Sequence, residues 1–190
     1  EIEEINENSS THRIYAHVDN PETLDGLKIL LIGPNDSPYY GGFFLFSVVI
    51  PDQYPFIPPV VNFLTPNRFP KCRVHPNLYA NGKVCLSILN TWEDREWVPV
   101  YSLEKLFLTI QGLMDDNPIA HEPSQEHIKK TNPMARDYTL IALQRVLSVC
   151  VSKIWDHPNL PPPFLEIIKK FYRDEGGLYL NADMLLIDND

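Results

Sequence analysis

The sequence predicts a single α+β domain, a four-stranded antiparallel meander sheet with flanking helices. Three observations predict it. Four short apolar segments within residues 1–64 are separated by turn signals, with no helical crossover between them. Residues 65–101 then lack any long periodic segment. Beyond them, apolar residues recur at helical spacing.

The elements follow in order. EIEEINENSS at the start reads as the end of an amphipathic helix truncated from something longer. HRIYAHVD (His12–Asp19) and GLKILLIG (Gly26–Gly33) read as strands joined by the turn DNPETLDG. GPNDSPYYGG is dense in Gly, Pro, Asn and Asp and must be a loop. FFLFSVVIP (Phe43–Pro51) is a continuous apolar run, the third strand, and VVNFL (Val60–Leu64) is the fourth. SLEKLFLTIQGLMDD reads as a helix capped by Ser102, with Leu103, Leu106, Phe107, Ile110, Leu113 and Met114 on one face. One helix is expected from Pro133 to about Trp155, with Cys150 on its apolar stretch. NLPPP interrupts, and FLEIIKKFY (Phe164–Tyr172) forms a last amphipathic helix. There are no internal repeats.

Composition narrows the function classes. The chain has 190 residues, and its 16 basic and 25 acidic side chains leave a net charge of −9. That balance argues against a nucleic-acid binder, which needs a basic surface, and against docking on anionic membranes. No apolar run approaches the length of a membrane span. Three cysteines, Cys72, Cys85 and Cys150, form no disulfide framework, which points to the cytoplasm or nucleus.

The chemistry concentrates in HPNLYANGKVCLSIL (His75–Leu89). Cys72, His75 and Cys85 lack a fourth zinc ligand at a recognisable spacing; His121, His127 or Cys150 would have to supply it. A Cys–His hydrolase needs a histidine to activate the thiol, and His75, followed at once by Pro76, fits no such dyad. Taken alone, Cys85 reads as a small buried hydrophobe between Val84 and Leu86.

It does not stand alone. HPN with a cysteine eight positions after Asn77, and a Trp-x-Pro further on, resembles the ubiquitin-conjugating enzymes. GPNDSPYYGGFF, IPDQYPFIPPVVNFLT, NGKVCLSIL and WVPVYSLEKLFLTIQGLMDDNP follow in that family's order, from about Gly26 to Pro123. The chain is most similar to a C-terminally extended branch that includes the conjugating domain of Apollon. The resemblance implies the ubiquitin-conjugating fold, with a catalytic core over 1–155 and a C-terminal helical extension over 156–190. It implies no cofactor and no metal.

It also implies a mechanism. Cys85 would take ubiquitin, or a ubiquitin-like modifier, from an activating enzyme as a thioester, and pass it to a substrate lysine or a ligase cysteine. Asn77 would stabilise the oxyanion or shape the loop that meets it. His75 and Pro76 would hold that loop. Ser87 stands where many members carry Asp, so lysine-side or gate functions fall to Ser87, His121 and Glu122. The family's two ligase loops would hold Phe56, Pro99 and Val100, with Tyr54 and Trp97 in the core. An acidic insert (Glu93, Asp94, Glu96) would lie near the cysteine. CLSIL and that insert also resemble the SUMO-conjugating enzyme, but that enzyme is basic and this chain acidic, which favours ubiquitin.

Overall fold

A computed structural model describes residues 1–64, 73–91 and 97–175. Cys72, the insert residues Glu93, Asp94 and Glu96, and the tail 176–190 lie outside the described residues. Strands β1 (Ile14–His17), β2 (Lys28–Ile32), β3 (Phe43–Val49) and β4 (Val60–Phe63) form one antiparallel sheet in chain order. Ile14 pairs with Leu31, Leu31 with Phe44, and Phe46 with Phe63.

Side chains alternate across a sheet, so odd and even positions meet different partners. On the inner face Ile29, Leu31, Phe44, Phe46 and Phe63 pack with α3 (Leu103–Leu113), through Leu103, Leu106, Phe107 and Ile110. Ser102 caps α3 as expected, accepting from Lys105 N–H. The outer face carries Leu30, Ile32, Phe43 and Leu45, and these pack with Phe164, Ile168 and Phe171. Those three residues belong to α5 (Pro162–Glu175). Phe43–Phe46 is an unbroken apolar run because both faces of β3 are covered there.

Three boundaries differ from the sequence reading. β1 begins at Ile14 because the preceding residues form two short helices, α1 (Ile2–Glu7) and α2 (Ser9–His12). Glu104 on α3 holds this corner, bonding Asn8 Nδ2 at 2.8 Å and His12 Nδ1 at 3.0 Å. The single helix expected over 133–155 is α4 (Pro133–Arg145), a π-helical turn (Val146–Val151) and a 3-10 turn (Ile154–Asp156). Ser148 and Ser152 bond back to the carbonyls of Gln144 and Ser148, the back-bonding that bends helices. The wide turn buries five of its six side chains, Cys150 among them, which a regular helix would spread around its circumference. Finally, α5 starts at Pro162: Pro162 and Pro163 sit in the first turn, where the missing N–H has no intrahelical partner to lose.

Between β4 and α3 lies a small irregular hairpin. Leu78 bridges His75 and Val84, and Gly82 turns the tip at φ 91°. The tip hooks onto the sheet, because Gly82 C=O accepts from Phe63 N–H at 2.8 Å. Its base is tied to α3 by His75, whose Nε2 donates to Leu113 C=O at 2.9 Å while Nδ1 accepts from Asn77 N–H at 3.0 Å. With both ring nitrogens so used, the imidazole is neutral. Burial and the neighbouring His121 push its pKa from 6.5 down to about 3.

Two outcomes are expected. Phe164→Ala removes a fully buried ring from the α5–sheet contact and costs about 3–5 kcal/mol in a urea titration, while Val49→Ala, at an exposed site, stays within about 0.5 kcal/mol. In the unfolded chain His75 regains an ordinary affinity for protons. Its contribution is therefore complete above pH 6.5 and is lost as the pH falls toward 3. Over that window wild-type stability should fall more steeply than that of His75→Gln, by up to about 1.4 kcal/mol per pH unit.

Candidate active site

Cys85 sits at the end of the hairpin and is 2% exposed. Asn77 faces it across the ladder, and the two residues bind each other twice. Cys85 N–H donates to Asn77 C=O at 2.9 Å, and Asn77 Nδ2 donates to Cys85 C=O at 2.8 Å. Cys85 Sγ donates to Thr91 C=O at 3.3 Å. The Thr91 hydroxyl accepts from Leu86 N–H and donates to Val84 C=O, each at 2.8 Å, so it staples the backbone on both sides of the cysteine. An amide nitrogen carries two hydrogens. One braces the loop; the other is available to an oxyanion forming at Cys85. The loop-shaping and oxyanion functions expected of Asn77 are therefore compatible. Its Oδ1 is buried and finds no partner among the described residues.

Two clefts flank the cysteine. The first, about 370 Å³, runs between Leu86–Ile88 and the α3 side chains Lys105, Thr109 and Leu113. Ser87 lines it, at the start of a 3-10 turn (Ser87–Leu89) that Asn90 closes in the left-handed region at φ 55°. The second, about 220 Å³, is lined by Arg73, Pro76, Asn77, Tyr79, His121 and Glu126 together with Cys85. A larger cavity of about 570 Å³ lies beside α1 and the β1–β2 turn, sharing no residue with either cleft; among the described residues no cysteine lines it.

Of the gate candidates, His121 lines the second cleft and Glu122 is turned to other partners. Glu122 Oε1 accepts from the Tyr138 hydroxyl at 2.7 Å and pairs with Arg73 Nη1 at 3.2 Å. Burial and this carboxylate push the Tyr138 pKa upward, so its hydroxyl stays a donor. Arg73 also donates to Pro76 C=O and lies 4.6 Å over the Tyr79 ring. Arg73 and Thr91 both frame the site, and the sequence reading passed over both. Neither belongs to a motif there, and only the folded hairpin shows what they touch.

The candidate ligase residues form an apolar surface. Phe56 is 76% and Val100 83% exposed, and Pro99 is exposed beside Val100. Trp97 joins the two loops from beneath, donating from Nε1 to Pro55 C=O at 2.8 Å, with its ring 6.0 Å from that of Tyr54. Trp97 is buried and Tyr54 half-buried.

Among the described residues no cluster of three or more His, Cys, Asp or Glu is placed to hold a metal ion, and no helix is long and apolar enough to cross a membrane.

Residues 1–146 match the family model described as ubiquitin-conjugating enzyme. The chain is 47% identical to human ubiquitin-conjugating enzyme E2 Z over 162 residues, which is 84% of this chain and 45% of that protein. It is 36% identical to the human dual E2 ubiquitin-conjugating enzyme/E3 ubiquitin-protein ligase BIRC6 over 172 residues, 86% of this chain and 4% of that one. A probable ubiquitin-conjugating enzyme of Caenorhabditis elegans is 36% identical over 95% of this chain and 25% of its own length. Among solved structures, a ubiquitin-conjugating E2 domain from Toxoplasma gondii superposes with a TM-score of 0.57 at 25% identity, covering 78% of this chain and 93% of its own. The chain thus spans less than half the length of each of these three relatives, though nearly all of the solved domain. By the family match over three quarters of its length, and by a sheet, hairpin and cysteine in the expected order, this chain belongs to the ubiquitin-conjugating enzymes.

Proposed function

We propose that this chain accepts ubiquitin as a thioester on Cys85 and transfers it to a lysine or to a ligase cysteine. The observation that carries this reading is a thiol set between two clefts, with the Asn77 side-chain amide held 2.8 Å from the Cys85 carbonyl. A modifier's C-terminal tail needs an extended groove, and an incoming nucleophile needs a second approach. A thiolate leaves readily, so the enzyme's work is orientation and oxyanion stabilisation rather than strong acid catalysis. The relatives' names carry ubiquitin, which supports that modifier over SUMO.

The partners on this reading are ubiquitin, an ATP-dependent activating enzyme, a ligase and substrate lysines. Phe56, Pro99 and Val100 are the ligase contact. Exposed apolar side chains on loops held by a buried tryptophan suit a protein partner. A reducing compartment, cytoplasm or nucleus, suits a working free thiol.

Incubation with activating enzyme, ATP and ubiquitin should give a thiol-sensitive band on a non-reducing gel. Cys85→Ala should abolish it, and Cys85→Ser should replace it with a thiol-resistant ester. Absence of any band with ubiquitin or SUMO, under every activating enzyme tried, would refute the reading. In discharge assays from the preformed thioester, Asn77→Ala should slow transfer about 100-fold, the scale of one lost oxyanion donor. Phe56→Ala or Val100→Ala should lower ligase-stimulated over unstimulated discharge about tenfold.

A further inference from the structure

We propose that His121, its ring set by Asp115, is the proton acceptor for an attacking lysine amine, and that the second cleft is the amine's approach. This rests on the thioester reading of Cys85. His121 Nε2 lies 2.9 Å from Asp115 Oδ2. A carboxylate only accepts, so Nε2 carries the hydrogen, and in the neutral ring the lone pair is on Nδ1. The other oxygen, Asp115 Oδ1, accepts from Asn117 N–H at 2.9 Å, which fixes the carboxylate at the turn after α3. His121 and Cys85 line the same cleft.

The surroundings favour this assignment over the alternatives. Among the described residues, the first cleft presents Lys105, a cation that repels an ammonium, and no imidazole or carboxylate. The second presents Glu126 beside His121. Glu122 is engaged by Tyr138 and Arg73, and with one oxygen bound twice it braces the loop instead of meeting the amine. The charged and titratable groups around the His121 ring, among the described residues, come from five elements. The hairpin supplies His75, whose ring is 5.3 Å away and neutral, and Arg73. The turn after α3 supplies Asp115; His121's own segment supplies Glu122 and Glu126. Tyr39, from the β2–β3 loop, lies behind His75, and Tyr138 belongs to α4; burial pushes both phenols upward, so both stay neutral. Among the described residues carboxylates outnumber cations here, a field that draws in a lysine.

The step balances as follows. The neutral amine attacks the thioester carbonyl, forming C–N and moving the π pair onto oxygen, where Asn77 receives it. The N–H proton of the resulting ammonium passes to Nδ1 of His121. The tetrahedral centre collapses, the C–S pair returns to Cys85 Sγ, and His121 gives its proton to water. Asp115 is a positioning residue; it never meets the substrate.

Single-turnover discharge from preformed ubiquitin thioester tests this, because it does not depend on the charging rate. Two nucleophiles are compared: free lysine, which must shed a proton, and hydroxylamine, already neutral near pH 7. His121→Asn should slow discharge to lysine about 100-fold and discharge to hydroxylamine less than about threefold. Asp115→Asn keeps the acceptor for Asn117 N–H but offers Nε2 a donor, reversing the tautomer. It should give the same lysine-selective loss, with Asp115→Glu recovering part of the rate. Equal losses with both nucleophiles, or none with lysine, would overturn the proposal while leaving thioester formation standing. Failure of the wild type to charge at all would overturn the thioester reading and this step with it.

Discussion

The double contact between Asn77 and Cys85 is the constraint on which the rest of the site depends. One bond runs from Cys85 N–H to Asn77 C=O, and the other from the Asn77 side chain to Cys85 C=O. Together they fix the register of the hairpin, and a one-residue slip would turn the thiol to the other face. With register fixed, Thr91 can staple both flanks of the cysteine, and His75 can reach Leu113 on α3. The nucleophile is thereby referenced to the helix that fills the sheet's inner face. A site on irregular backbone gains the precision of the regular elements beneath it.

The same logic extends to the loops around it. Arg73 touches Pro76 C=O, Glu122 and Tyr79 with one planar group, and Arg145 holds the Arg73 carbonyl at 2.8 Å. The hairpin and the segment around His121 are joined through that guanidinium, which offers fixed donors in several directions, and α4 joins them through the Arg73 backbone carbonyl. On the opposite side Trp97 joins the Pro55 and Pro99 loops. Each outer loop is thus set by one large buried or half-buried side chain, and its tip is free to present Phe56 or Val100 to solvent.

Much of this was legible in the sequence because it is local. The apolar strand segments, the GPNDSPYYGG loop and the Ser102 cap are each decided within a few neighbouring residues. The HPN motif and the spacing to Cys85 carried the site. What was not legible depends on distant partners. The π-helical turn at Val146–Val151 answers to a core that no local window sees. The Asp115–His121 pair joins residues on two turns, and its meaning comes from the cleft beside it. Pro162 and Pro163 read as an interruption because proline both ends and begins helices, and only the buried Phe164 decides between them.

The placement of α5 on the outer sheet face bears on how the chain matures. Leu30, Ile32, Phe43 and Leu45 are synthesised more than a hundred residues before their partners Phe164, Ile168 and Phe171. Until then the nascent meander has one finished face and one apolar, unprotected one. Closing it is a long-range event, entropically slow compared with the local hairpins. The cysteine side of the molecule can therefore assemble while the opposite side is still adhesive. Quality control on this chain would act on the sheet's back, a surface that the finished protein never shows.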